Sequence, residues 1–70
     1  MPYVQSSALE RVSYDEARHT LSAKFRESGR TYIYRGVPPA LYDQLMLADS
    51  MGAYFNNHIR DRFDFEELEN

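Results

Sequence analysis

Seventy residues with no cysteine and a formal charge of −3 make one domain and exclude disulfides, thiolate zinc sites and a cysteine nucleophile. No run approaches the roughly 20 consecutive apolar residues of a membrane-spanning helix, and the start Met1-Pro2-Tyr3-Val4 does not read as a signal peptide, so a cytoplasmic location without membrane contact is expected. The charge is uneven: residues 1–35 hold six basic and four acidic groups, residues 36–70 two basic and seven acidic. Such halves can attract each other, or the basic one can steer a polyanion. The acidic total weighs against a strong nucleic-acid binder, which ordinarily reads as basic.

Residues 1–7 read as a loose polar lead-in. Ala8 to Tyr14 is a first strand, with Val12 and Tyr14 on one face; Leu9 falls on the other face unless a bulge intervenes. Asp15-Glu16-Ala17-Arg18 is a polar turn in which the Asp15 side chain can accept from the backbone N–H groups that follow. Thr20 to Arg26 alternates cleanly, Leu21, Ala23 and Phe25 against Thr20, Ser22, Lys24 and Arg26, as an antiparallel strand with one wet face does. Glu27-Ser28-Gly29 supplies a hairpin loop, and Arg30 to Arg35 a third strand around Tyr32-Ile33-Tyr34.

Gly36-Val37-Pro38-Pro39 breaks the extended run, and Pro39 suits the first turn of a helix, where no N–H is needed. That helix extends to about Asp49, with Leu41, Leu45 and Ala48 on one stripe widened by Tyr42 and Met46. Gly52 can end it; Ser50 can instead cap a second helix that includes Tyr54, Phe55 and Ile59. Phe63 and Phe65 can dock, and Glu66 to Asn70 read as frayed. The expected fold is α+β: a three-stranded antiparallel β-meander followed by two α-helices packed on one face, β-β-β-α-α. Residues 1–60 form the domain and residues 61–70 an acidic tail expected to be partly disordered. With no disulfide or metal to staple it, the core relies on ten aromatics, each able to bury roughly 150–250 Å².

Catalytic chemistry finds no support. His19 lacks a carboxylate or second histidine at ligand spacing, His58 has only Asp61 beside Arg62, which is unremarkable, and both histidines read as solvated. The serines have no nucleophile-elbow context, three isolated glycines make no phosphate cradle, and the acidic run reads as a solvated face. No enzyme activity, cofactor or metal is therefore expected.

Two polar groupings are left. Tyr32 and Tyr34 stand between Arg30 and Arg35 and across a hairpin from Lys24 and Arg26, and aromatics among cations on a sheet are how single-stranded RNA is stacked and its phosphates held. Their direction depends on the loop. Two or four loop residues put both tyrosines on the Phe25 face, in the core; three put Tyr32 opposite Lys24, on the wet face. A domain this small needs the aromatic area, which favours the core. The second grouping is Asn56 and Arg60, one helical turn apart and beside Ser50: a small site for an anion or a peptide carbonyl, or, more simply, helix-end hydrogen bonding.

Tyr32-Ile33-Tyr34, Val37-Pro38 and the run Ala48-Asp49-Ser50-Met51-Gly52-Ala53-Tyr54-Phe55-Asn56-Asn57-His58-Ile59-Arg60 together resemble the KTSC domain. A Ser6-Ser7 start, a Tyr14-Asp15 turn and the Leu21/Phe25 strand extend the likeness from about Ser6 to Arg60, leaving the acidic tail outside it. The family is a short bacterial module found at the C-terminus of some lysyl-tRNA synthetases and also as a stand-alone protein. The resemblance implies motif positions at Tyr32, Tyr34, Ser50, Gly52, Phe55, Asn56 and Arg60, no established activity, and RNA binding proposed from the synthetase context. Residues and resemblance together give a non-catalytic binding module for single-stranded or structured RNA, with Lys24, Arg26, Arg30, Arg35 and Arg60 on phosphate and any exposed tyrosine stacking. The alternative is a protein-interaction or self-associating domain.

Overall fold

The computed structural model describes residues 8–68. The lead-in at residues 1–7, with its Ser6-Ser7 pair, and the last two residues of the tail lie outside the described residues. In chain order the elements are β1 (Leu9–Asp15), β2 (Thr20–Phe25), β3 (Thr31–Arg35), α1 (Pro39–Leu47), α2 (Met51–His58) and β4 (Phe65–Leu68). The strands form one antiparallel sheet in the order β1-β2-β3-β4. The expected three-stranded meander is thus corrected to four strands. The fourth comes from the acidic tail: Phe65 pairs with Tyr34 and Glu67 with Tyr32 along the edge of β3. Strand order follows chain order, with both helices inserted before the last strand.

Local chemistry accounts for the remaining elements. Asp15 Oδ1 accepts from the N–H groups of Ala17 and Arg18, closing the β1–β2 turn, and His19 completes it at a φ of 54°. In β1 the register shifts between Leu9 and Arg11, so Glu10 is the extra residue of a bulge, and Leu9 joins Val12 on the core face. At the β2–β3 hairpin Phe25 N–H donates to the Arg30 carbonyl and Gly29 N–H to that of Phe25, with Gly29 at a φ of 71°. The four residues Arg26 to Gly29 are therefore the loop. This sets Tyr32 opposite Ala23 and Tyr34 opposite Leu21, on the core face.

Pro38 stands at the N-cap of α1 and Pro39 begins it. The helix stops at Leu47, two residues earlier than the stripe implies, because Ala48 turns to extended backbone. Ser50 caps α2, its Oγ accepting from Ala53 N–H at 3.3 Å, so Gly52 lies in the first turn of α2 instead of ending α1. The two helices place Leu45, Phe55 and Ile59 against Leu9, Val12, Leu21, Ala23 and Tyr34. Val37 is fully buried between these layers; its N–H donates to the His19 carbonyl, and its own carbonyl accepts from the Tyr14 hydroxyl. Phe25 is half-buried and packs against this core. None of the helices formed by the described residues is long and apolar enough to cross a membrane.

Candidate binding cleft

The hydrophobic logic that buries Tyr34 leaves an opening at one end of the sheet. There the ends of β2 and β3, the edge strand β4 and the exposed side of α2 do not close over one another. They bound a cleft of about 590 Å³. Its apolar wall is aromatic: Phe25, Phe55, Phe65 and the rings of Tyr32 and Tyr34. These rings brace one another. Phe55 meets Phe25 and Tyr34 edge-on with centroids at 5.6 and 5.2 Å, and Phe65 lies 5.5 Å from Tyr32 and 5.3 Å from Tyr34. Such offset and edge contacts suit the ring quadrupole and fix the rings in place.

The polar rim comes mostly from α2 and its exit. Asn56 and Arg60, one turn apart, are joined by a 3.3 Å hydrogen bond from Arg60 Nη1 to Asn56 Oδ1, and the Arg60 guanidinium sits 5.7 Å from the centre of the Phe25 ring. Glu27, Ser28, Arg30 and Asp61 complete the rim. Tyr34 is only 2 % exposed, yet its hydroxyl makes no hydrogen bond to another described residue and is not sealed from the cleft. Burial holds its phenol above the usual tyrosine pKa, with the positive charge of Arg60 pulling the other way.

Five of the nine residues singled out from the sequence line this cleft: Tyr32, Tyr34, Arg30, Asn56 and Arg60. The other four do not. Lys24 faces away from the helices, 3.8 Å from Glu10, beside a smaller depression of about 340 Å³ that also includes Arg11, Ser13 and Thr31. Arg26 donates to the Leu9 carbonyl at 3.2 Å. Arg35 is bound to Glu66 at 2.6 Å, and Ser50 is the helix cap. Arg30, although at the cleft, is held by Glu67. The last strand thus sets a carboxylate on each of the two arginines that flank the tyrosine pair. The sequence marks Phe25 as core and Phe55 only as a motif position of the resemblance, and it assigns Phe65, Asp61 and Glu27 to no site. For Phe65 the sequence shows an apolar side chain able to dock.

Metal chemistry has no anchor among the described residues, where no three His, Cys, Asp or Glu side chains gather to hold an ion.

Comparison with known proteins shows the family and the fold. The KTSC domain family model matches residues 5–63. A protein of Tsukamurella paurometabola is 41 % identical over 63 residues, spanning 90 % of this chain and 92 % of its own length. A lysine–tRNA ligase of Nostoc punctiforme is 38 % identical over 64 residues, which is 91 % of this chain but 11 % of that enzyme. The crystal structure of a KTSC domain protein from Yersinia pestis superposes with a TM-score of 0.91 at 34 % identity, covering 96 % of this chain and 93 % of that one. Of the seven motif positions of the family resemblance, Tyr32, Tyr34, Gly52, Phe55, Asn56 and Arg60 line one cleft, and Ser50 caps α2 instead. This chain belongs to the KTSC domain family.

Proposed function

We propose that this domain is a non-catalytic binding module whose aromatic cleft takes an extended segment of a partner protein. The observation that carries the reading is the contrast between two sets of groups. Tyr32, Tyr34, Asn56 and Arg60 gather with three phenylalanines around one open cleft, whereas Lys24, Arg30 and Arg35, the cations a nucleic-acid backbone would need, each have a carboxylate partner. At about 590 Å³ the cleft falls within the roughly 300–1,000 Å³ of sites that take small ligands or short segments, and its mix of apolar wall and few polar groups is typical of them.

The test is selection of random displayed peptides on the immobilised domain, followed by binding to the parent and to Asn56→Trp. That substitution fills the cleft from an exposed helix position. Enriched peptides should bind the parent, lose most affinity for the variant, and perturb the amides of β3 and α2. Peptides that bind both proteins alike would remove the cleft from consideration.

A second reading, RNA binding, is favoured by one observation: a similar segment stands within lysine–tRNA ligases. Fluorescence anisotropy with short single-stranded RNA tests it, since phosphate contacts must weaken as salt rises. Absence of binding at low salt would sink it.

A further inference from the structure

Resting on the reading of the cleft as a site for a protein segment, we infer that it receives the C-terminal end of a polypeptide, with the terminal carboxylate on Arg60 and the last side chain on the aromatic wall. The donors and the charge lead there. Among the described residues Arg60 makes no ion pair, in contrast to Lys24, Arg30 and Arg35. Its guanidinium is held at the cleft by Asn56 Oδ1 and lies against Phe25, so part of its ordering has already been done before a ligand arrives. Because Asn56 Oδ1 accepts from Arg60, the Asn56 amide nitrogen keeps its own two hydrogens for a ligand. The hydroxyls of Tyr32 and Tyr34 make no hydrogen bond to another described residue. The cleft therefore gathers donors in search of an acceptor, and a guanidinium fork matches a carboxylate.

The rest of the site selects among anions. Glu27 and Asp61 on the rim repel a second negative charge, and Glu67 already neutralises Arg30. A single available cation answers a monoanion and disfavours a phosphate dianion. The aromatic wall beside that cation also asks for an apolar group close to the carboxylate. In a chain terminus both spring from one Cα, so one residue satisfies both. An internal Asp or Glu carries its charge on a short methylene stem, too small to cover the aromatic wall, and needs a second residue to supply a large apolar group.

The test uses acetyl-Gly-Ser-Leu-Phe as the free acid and as its C-terminal amide, titrated into the isotope-labelled chain. The acid should perturb the Arg60 side-chain signal and the α2 and β3 amides, and the amide should bind about tenfold or more weakly, the scale of hydrogen bonds to charged groups. Arg60→Gln should bring acid and amide to equal affinity, Arg60→Lys should restore part of the preference, and Tyr34→Phe should weaken the acid more than the amide. Acid and amide binding the cleft equally well overturn the carboxylate assignment and leave the protein-segment reading standing. A cleft that ignores both peptides but responds to single-stranded RNA overturns both. If both peptides fail and selected internal sequences bind, the inference alone falls.

Discussion

Replacing Phe55 with alanine should remove about half or more of the stability of this domain. Phe55 is 2 % exposed, and its ring is the one that touches both Phe25 and Tyr34 edge-on while closing the floor of the cleft. Truncating a buried phenylalanine costs about 3–5 kcal/mol, and two aromatic contacts worth roughly 0.5–1.5 kcal/mol each beyond area push this site to the upper part of that range. A chain of 70 residues has about 4–10 kcal/mol in total at the usual stability per residue. The loss is thus about half of the total at the high end of that scale and the whole of it at the low end, where the alanine variant is expected to be largely unfolded. Phe55→Leu keeps much of the volume and should cost about 1–2 kcal/mol. Urea unfolding followed by far-UV circular dichroism reads both: with a slope near 1 kcal/mol per molar, the leucine variant should shift its midpoint by roughly 1–2 M. Leu47→Ala, at a side chain 78 % exposed, is the control and should stay within about 0.5 kcal/mol of the parent. An alanine variant at Phe55 that unfolds within about 1 kcal/mol of the parent would refute the packing argument.

Alkaline stability should depend on Tyr34. Its phenol is held above the ordinary value of 10.0, chiefly by burial, so the folded state resists losing that proton more than the unfolded state does. The contribution is complete below the unfolded pKa and disappears as pH climbs through the folded one; melting temperature should fall in that alkaline window and fall less in Tyr34→Phe. Ser50→Ala removes the α2 cap and should cost about 1 kcal/mol in a thermal or urea melt, with no loss expected only if the Ala53 N–H finds another partner. Reversing Glu66 and Glu67 to lysine should place like charges against Arg35 and Arg30 and loosen β4. Amide exchange should then quicken at residues 65–68 first, while global stability drops by about 1 kcal/mol or less per pair, since both pairs are exposed. Unchanged exchange at β4 would mean the ion pairs do not hold it.

Alternation made β2 readable, and its apolar side is where the core lies: Leu21 and Ala23 are fully buried, with Phe25 packed at their edge. The tyrosines followed once the loop was known to have four residues, a point the sequence leaves open because Glu27, Ser28 and Gly29 suit more than one turn. Leu9 needed the bulge at Glu10, which leaves only an out-of-phase residue as its trace. β4 was illegible for a physical reason. All four of its residues are exposed, so no apolar periodicity marks it, and two adjacent glutamates read as solvated. It is a strand because the edge of β3 offers unpaired backbone groups and Arg30 and Arg35 offer countercharge, both of which exist only in the folded molecule. The cleft was half legible for the same reason: its α2 residues carry a recognisable spacing, but its three phenylalanines come from three separate elements, β2, α2 and β4.

Strand order and chain order coincide here, yet the last pairing closes a long excursion, Thr31 meeting Leu68, whereas Lys24 meets Thr31 across a short hairpin. Loop-closure entropy makes the distant pairing late to form and, with every residue of β4 open to water, early to break. Phe65 rides on that segment and walls the cleft, so the width of the entrance acquires a clock of its own. Opening and closing at this edge can proceed while the helices and the first three strands stay shut.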